Sequence, residues 1–228
     1  MDEFIKLLDA FTRLAGAIVL PIAVFAIFWI FRTEINALLG RTESLSFKGG
    51  PVDVTISARK AEAAGAIAAA VASKPVEGQD ARAMAQTAQA AASVVAASVT
   101  PQAVRKARTA TVLWVDDNPD NNIYVRQSLE ALGVRFVLAT STKDGLEQAR
   151  RQKFDAIISD MSRDHDGTAG YKLLEQLREA GIQSPYIIYA GKIDPKQRAD
   201  AKRRGALDAT DRPDEVFQLV LSAIGSRG

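Results

Sequence analysis

The sequence contains no cysteine, and this absence excludes several kinds of site. Disulfide bonds, thiolate metal centres and cysteine nucleophiles all require that residue. The absence also fits a reducing compartment. Histidine is nearly absent as well, because His165 is the only one. It lies in a polar stretch without an evident partner, so we interpret it as a solvated side chain rather than a metal ligand or a general base.

The chain also has no strong excess of positive or negative charge. The 228 residues include 29 basic and 27 acidic side chains, which gives a net charge of +2. This balance indicates no polyanionic partner for the chain as a whole, and we expect no nucleic-acid partner. The densest basic run, Lys196–Arg204, is interpreted as the solvated face of a helix. No glycine-rich turn follows the first predicted strand of the C-terminal half, which excludes a dinucleotide-binding site.

One long apolar run stands out near the N-terminus. Leu14–Phe31 contains 18 residues without a charge, between Arg13 and Arg32. A helix of that length reaches about 27 Å, close to the thickness of the hydrocarbon core of a bilayer, and a membrane helix tolerates the proline at position 21. The run has neither the cleavage site of a signal peptide nor the polar stripe of a core helix. We therefore predict a membrane anchor over residues 1–42, with a transmembrane helix at about residues 14–31.

The basic residues on either side of this run predict its orientation. Two of them precede it, at positions 6 and 13, whereas five lie between positions 32 and 60. The positive-inside bias then places the C-terminal part of the chain in the cytoplasm. We expect a single-pass membrane protein with a cytoplasmic C-terminal domain.

Two segments connect the predicted anchor to the C-terminal half. Within residues 43–58, Leu45–Ile56 alternates apolar and polar residues around a Gly-Gly-Pro sequence, which predicts a small β-hairpin or a linker. Residues 59–108 are predicted to form an alanine-rich helical stalk, because 17 of the 39 residues of Ala61–Val99 are alanine and alanine has the highest helix propensity. The small side chains allow close helix packing, so we expect either a homo-oligomer or a spacer between membrane and domain.

Residues 109–228 alternate apolar strand patterns with helical patterns, which predicts an α/β fold with a doubly wound, five-stranded parallel sheet. The first predicted strand ends in Asp116 and Asp117, and the third ends in Asp160. In such a sheet, ligands bind beyond the carboxyl ends of the strands, where the strand order reverses. If the two strands are neighbours, three carboxylates repel one another there. A hard cation with oxygen ligands, Mg²⁺ above all, relieves that repulsion.

Several short motifs of residues 109–228 occur together in one known family. They are WVDDN at the end of the first predicted strand, ISDM at the end of the third, ATSTKDGLEQAR, DGTAGYKLLEQLRE, and a Gly-Ala pair followed by Arg212 and Pro213. With these motifs, the segment resembles the receiver domain of bacterial response regulators. The resemblance implies a flavodoxin-like fold with strand order 2-1-3-4-5.

The resemblance also implies a role for each acidic residue. Asp116 and Asp117 match the acidic pair that helps to hold Mg²⁺, with Asp117 as the direct ligand. Asp160 matches the aspartate that accepts a phosphoryl group from a histidine kinase, and it contributes to the metal site as well. The backbone carbonyl of Ser162, two residues later, would complete the protein ligands.

The sequence departs from the family pattern at several positions. Ala190 stands where the family has threonine or serine after the fourth strand, and Arg212 replaces the lysine after the fifth. The planar guanidinium group of arginine is larger than the compact ammonium group of lysine. The switch aromatic of the fifth strand falls at Ala209. The loop after Asp160 lacks the expected Met-Pro sequence and is about two residues longer.

Two functions follow from this pattern. In the first, the chain is a membrane-anchored signalling protein whose cytoplasmic receiver domain accepts a phosphoryl group on Asp160 in a Mg²⁺-dependent phosphorelay. In the second, it is a pseudo-receiver scaffold that self-assembles or binds partners at the membrane without phosphorylation. The three aspartates favour the first function, whereas Ala190, Ala209 and Arg212 favour the second. In neither is the chain an enzyme, beyond its own phosphorylation and dephosphorylation.

Overall fold

The computed structural model describes residues 51–73 and 80–226, all of which belong to one compact unit. The predicted anchor and the first arm of the predicted hairpin lie outside the described residues, so both stay predictions. Within the described ranges, every helix is too short or too polar to cross a bilayer.

The described chain contains eight helices, five strands and one short 3₁₀ helix. The helices are α1 (Pro51–Ala72), α2 (Ala81–Ser98), α3 (Pro101–Ala107), α4 (Ile123–Glu130), α5 (Thr142–Arg151), α6 (Ala169–Glu179), α7 (Pro195–Arg203) and α8 (Pro213–Gly225). The strands are β1 (Thr111–Val115), β2 (Arg135–Ala139), β3 (Ala156–Ser159), β4 (Tyr186–Tyr189) and β5 (Asp208–Thr210), and the 3₁₀ helix is Pro119–Asn122.

The five strands form a parallel sheet in the order β2-β1-β3-β4-β5, which confirms the predicted fold class and strand order. Successive side chains of a strand point to opposite faces, so each strand contributes to two hydrophobic clusters. Trp114 and Ile158 belong to the cluster that α4 and α8 cover. Leu113 and Ile157 belong to the cluster on the opposite face, with α5, α6 and α7. Both faces are therefore buried, as the continuous apolar strands predict.

Polar side chains mark where the helices begin. Asp80 accepts a hydrogen bond from the Ala83 N–H at 2.7 Å, and Ser141 accepts one from the Asp144 N–H at 3.1 Å. Asp194 forms a reciprocal capping box with Gln197 at the start of α7. Each of these bonds satisfies a backbone donor that the first helical turn leaves unpaired.

The second arm of the predicted hairpin is helical. Residues 51–56 form the first turns of α1, so the alternating pattern of Leu45–Ile56 does not produce a strand there. Proline suits the first position of a helix, and the alanine-rich sequence that follows strongly favours helix. Tertiary packing acts in the same direction, because Ala63, Ile67 and Ala70 recur at helical spacing and are all buried.

The alanine-rich helices do not project as a stalk. They pack against each other, and they also pack against the α/β domain on the side of α4 and α8. Ile67 of α1 and Val95 of α2 belong to the same buried cluster as Trp114 and Phe217. In addition, the Arg59 guanidinium donates to the Ala131 carbonyl, at the end of α4, at 2.7 Å. Small side chains let the helices approach the domain closely, and burial of apolar area then favours the docked arrangement.

Candidate functional site

The sheet brings the three predicted acidic residues together. Val115 pairs with Ser159 in the register of β1 and β3, so Asp116 and Asp160 leave the sheet side by side. One carboxylate oxygen from each of Asp116, Asp117 and Asp160 lies within 4.8 Å of the other two. The three acids therefore lie close together, as predicted, and their role as metal ligands stays a prediction.

Asp116 is held rigidly by its neighbours. It is 4% exposed and accepts hydrogen bonds from the Asn118 N–H at 2.9 Å, the Asn122 side-chain amide at 2.8 Å and the Trp114 indole at 3.3 Å. These donors satisfy both oxygens of a buried polar group. The Asp116 side chain is thus held in a fixed position at the floor of the site.

Asp117 is exposed, and it contacts the loop that follows β3. Its Oδ2 accepts a hydrogen bond from the Asp164 N–H at 3.1 Å. Asp164 and His165 both have positive φ angles, of 50° and 65°, in a tight turn closed by backbone hydrogen bonds between Arg163 and Asp166. Positive φ is costly for residues other than glycine, so the surrounding contacts must hold this turn in place. His165 is exposed, as predicted.

Asp160 lies at the end of β3, against the start of α6. Its Oδ1 accepts a hydrogen bond from the Met161 N–H at 2.8 Å. A Cβ atom at position 170 would lie 2.9 Å from the Asp160 carbonyl oxygen, so only glycine fits at this close approach. Ser162 follows on the exposed side of the loop. The predicted role of its carbonyl as a metal ligand stays a prediction.

The electrostatic surroundings of Asp160 favour its protonated form. Burial raises the pKa of its carboxyl group from 3.8 to about 6, and repulsion by Asp116 and, less strongly, Asp117 adds to the increase. The Met161 N–H and the Arg163 charge act in the opposite direction. Three carboxylates this close are therefore under electrostatic stress, which an oxygen-preferring cation would relieve.

This raised pKa predicts a pH dependence of stability. Because Asp160 binds its proton more tightly in the folded state, its contribution to stability is fully present below about pH 3.8 and is lost as the pH rises through about 6. We expect the free energy of unfolding of the wild type, relative to Asp160→Asn, to fall across this window without divalent cations. Urea unfolding with a chelator at several pH values measures it. A difference that is constant across the window would contradict the raised pKa.

The acidic residues line an open cleft of about 510 Å³. Ala190, just after β4, also lines this cleft, and its side chain carries no hydroxyl group. Ser73, directly after α1 in the helical hairpin formed by α1 and α2, also lines the cleft. Sequence reasoning missed Ser73, because no local pattern indicates that the hairpin folds back onto the domain.

The structure does not place Arg212 with the three aspartates. Its guanidinium pairs with Asp214 through two hydrogen bonds, at 2.6 and 3.3 Å, and lies 3.5 Å from the Glu215 carboxylate. Asp214 is 3% exposed, and a buried carboxylate needs such a partner. Arg212 therefore stabilises the start of α8. Ala209 is fully buried in β5, with no aromatic ring at its position.

Comparison with known proteins agrees with this geometry. The model of the response regulator receiver domain family matches residues 112–221. The protein PilH of Pseudomonas aeruginosa is 30% identical over 119 residues, which cover 50% of this chain and 97% of PilH. The chain belongs to the response regulator receiver family. Helices α1 to α3 precede the matched segment and pack on the receiver domain.

Other relatives match this chain over only about half of their own length. The transcriptional activator protein IrlR of Burkholderia pseudomallei is 31% identical over 110 residues, which cover 48% of this chain and 46% of IrlR. The chain spans about half the length of IrlR and of the transcriptional regulatory protein PcoR of Escherichia coli. Among solved structures, the Francisella response regulator 1452 receiver domain is similar, with 22% identity, a TM-score of 0.47, and coverage of 53% of this chain and 100% of that domain.

Proposed function

We propose that the receiver domain accepts a phosphoryl group on Asp160, as one step of a phosphorelay that a histidine kinase or another phosphodonor supplies. The observation that carries this proposal is the meeting of three carboxylates, within 4.8 Å, at the carboxyl ends of adjacent β-strands. Phosphoryl transfer to a carboxylate mainly needs in-line positioning and electrostatic stabilisation.

In this mechanism, an Asp160 carboxylate oxygen attacks the phosphorus of the donor. The bond from phosphorus to the leaving group breaks, the leaving group departs with the electron pair, and an aspartyl phosphate remains. Since the pKa of Asp160 is about 6, the carboxyl group is largely ionised at neutral pH and is ready to attack. Asp116 fixes the local charge, and Trp114, Asn118 and Asn122 hold it in position.

The donor set fits a divalent cation of the Mg²⁺ type. All three side chains offer carboxylate oxygens, and Mg²⁺ prefers oxygen ligands. Asp117 and Asp160 would hold the ion directly, with Asp116 beside it and the Ser162 carbonyl as a further proposed ligand. A bound Mg²⁺ would supply neutralisation of the oxygens of the transferred phosphoryl group.

Membrane anchoring is a further part of the proposal. It is supported by the uncharged run Leu14–Phe31 and by the excess of basic residues after it. The receiver domain would then act on the cytoplasmic face of the bacterial inner membrane. Oligomers of the full chain stay a prediction.

Two observations favour a second candidate function, a pseudo-receiver scaffold that binds partners without phosphorylation. Arg212 is engaged by Asp214 and Glu215, and Ala190 offers no hydroxyl group to a phosphoryl oxygen. The chain would then keep the three aspartates of the site but lack the residues that transmit phosphorylation.

Beryllofluoride, an analogue of the phosphoryl group, distinguishes the two functions. Trp114 is a natural reporter, because its indole donates to Asp116, and Trp29→Phe removes the other tryptophan of the sequence. We expect Mg²⁺ with beryllofluoride to change Trp114 fluorescence in this background and Asp160→Asn to abolish the beryllofluoride response. Asp155→Asn, at the opposite end of β3, serves as the control and should respond like the parent. No response of the parent at millimolar Mg²⁺ would favour the scaffold.

A further inference from the structure

Arg163 is a buried arginine three residues after Asp160, in the loop between β3 and α6. It is 2% exposed. Its guanidinium donates to the carbonyls of Asp160 and Ala169, at 2.5 and 3.0 Å, and to the hydroxyls of Ser159 and Thr142, at 2.6 and 3.1 Å. A buried guanidinium with this many partners has a fixed position.

These partners join the elements that build the acidic site. Ser159 ends β3, Thr142 begins α5 and Ala169 begins α6. The Val115 carbonyl, at the end of β1, lies 3.5 Å from the same guanidinium. One side chain thus connects the carboxyl ends of the two strands that carry the three aspartates.

The charge of Arg163 is compensated in an unusual way. The acceptors of its hydrogen bonds are neutral carbonyls and hydroxyls, and its buried Nε has no hydrogen-bond partner in the described part of the chain. A buried cation normally requires a carboxylate partner. Here the opposite charge is that of Asp160, whose backbone carbonyl accepts from the guanidinium and whose carboxyl group the positive charge of Arg163 acts on.

The basic residue after β5 does not fill this role. Arg212 pairs with Asp214 and Glu215 on its own helix. The positive charge beside Asp160 therefore comes from Arg163, in the loop after β3, rather than from the basic residue after β5. A positive charge at this position repels a bound cation and attracts a bound anion.

We propose that Arg163 is a positioning residue that holds the end of β3 and offsets, from the buried side, the negative charge of a phosphoryl group on Asp160. The inference rests on the proposed function. A fixed positive charge below the aspartates opposes binding of a divalent cation and favours binding of an anionic phosphoryl group. Loss of the charge should therefore change the two affinities in opposite directions.

The test is Arg163→Met, which keeps a long unbranched side chain without the charge. Mg²⁺ alone and beryllofluoride with saturating Mg²⁺ are titrated into the full chain, with Trp114 fluorescence as the readout. We expect the Mg²⁺ dissociation constant to fall by about threefold and the beryllofluoride constant to rise by about tenfold. Arg163→Lys keeps the charge and should retain beryllofluoride binding within about threefold of the parent.

Arg178→Met is the matched control. Arg178 also donates to backbone carbonyls, those of Ile182, Ser184 and Gly205, but at the opposite end of the sheet. Its replacement should reduce stability without changing either affinity. If the role of Arg163 were purely structural, Arg163→Met would instead weaken the binding of both Mg²⁺ and beryllofluoride. That result would overturn the inference, and so would two unchanged affinities.

The remaining outcomes separate this inference from the proposed function. Parent protein that binds Mg²⁺ but not beryllofluoride refutes phosphoryl transfer, and the Mg²⁺ change in Arg163→Met then decides the role of Arg163 alone. Parent protein that binds neither ligand overturns both proposals. If Arg163→Met does not fold, Arg163→Lys decides: retained beryllofluoride binding supports the inference, and a loss of about tenfold contradicts it.

Discussion

Replacing Asp117 by asparagine is expected to raise the dissociation constant of Mg²⁺ by about 100-fold, because it removes a charged oxygen ligand from the site. Asparagine keeps the size of the side chain and can still accept the hydrogen bond from the Asp164 N–H. The loss would therefore report the missing ligand charge rather than a rearranged loop. Fluorescence titration of Trp114 in the Trp29→Phe background, confirmed by calorimetry, measures the change.

Asp120→Asn is the matched control for this effect. Asp120 lines the same cleft and its replacement also removes one negative charge. It is not one of the three acids whose oxygens converge, so we expect a change of no more than about twofold, as for an exposed charge at a distance. Equal losses in Asp117→Asn and Asp120→Asn would show that only net charge matters and that Asp117 is not a ligand.

Asp116 and Asp117 differ in how they are held, and this difference suggests a division of work. Protein donors occupy both oxygens of Asp116, which is buried, whereas Asp117 is exposed and accepts from the Asp164 N–H through one oxygen. The first acid is suited to setting the field of the site, and the second to meeting an incoming ion. In the proposed metal site, their different surroundings would therefore give the two neighbouring aspartates different tasks.

The sheet and its acidic edge could be predicted because the signals for them are local. The apolar runs ending at Val115 and Ser159 are strand patterns, and the acids follow each run directly. Once the two strands are neighbours in a parallel sheet, geometry alone brings Asp116 and Asp160 together. The same short motifs therefore predict both the pairing of the two strands and the acidic site at their ends.

The features that were missed depend on contacts between distant parts of the chain. Nothing adjacent to Arg163 in the sequence shows that its guanidinium turns inward, toward Thr142 and Ala169. Nothing adjacent to Arg212 shows that a buried Asp214 engages it. Charged side chains are usually exposed, so composition predicts the wrong surroundings for an arginine whose partners are assembled by the tertiary fold.

The alanine-rich helices show the same limit. Their propensity correctly predicts helix, but alanine buries little area, and the sequence therefore gives a weak signal for what the helices contact. The decisive residues are the sparse larger ones. Ile67 and Val95 are both fully buried and join the cluster of the receiver domain. Docking thus depends on a few side chains spread over two long helices.

Ile67→Ala is therefore expected to lower the free energy of unfolding of the receiver domain by about 2–5 kcal/mol, even though the residue lies outside the family match. The shortened side chain would leave a cavity between α1 and the receiver domain, and burial of its lost methyl groups would no longer favour docking. Urea unfolding of the full chain, followed by Trp114 fluorescence in the Trp29→Phe background, measures the change.

Val54→Ala provides the control within the same helix, because Val54 is 57% exposed and its truncation should change stability by no more than about 0.5 kcal/mol. Trp114 lies on the receiver sheet and belongs to the cluster that contains Ile67. If the hairpin and the domain unfold as one cooperative unit, the fluorescence and far-ultraviolet dichroism transitions coincide and shift together in Ile67→Ala. A Trp114 transition that Ile67→Ala leaves unchanged would mean that α1 folds independently of the receiver domain and that the stalk interpretation was correct.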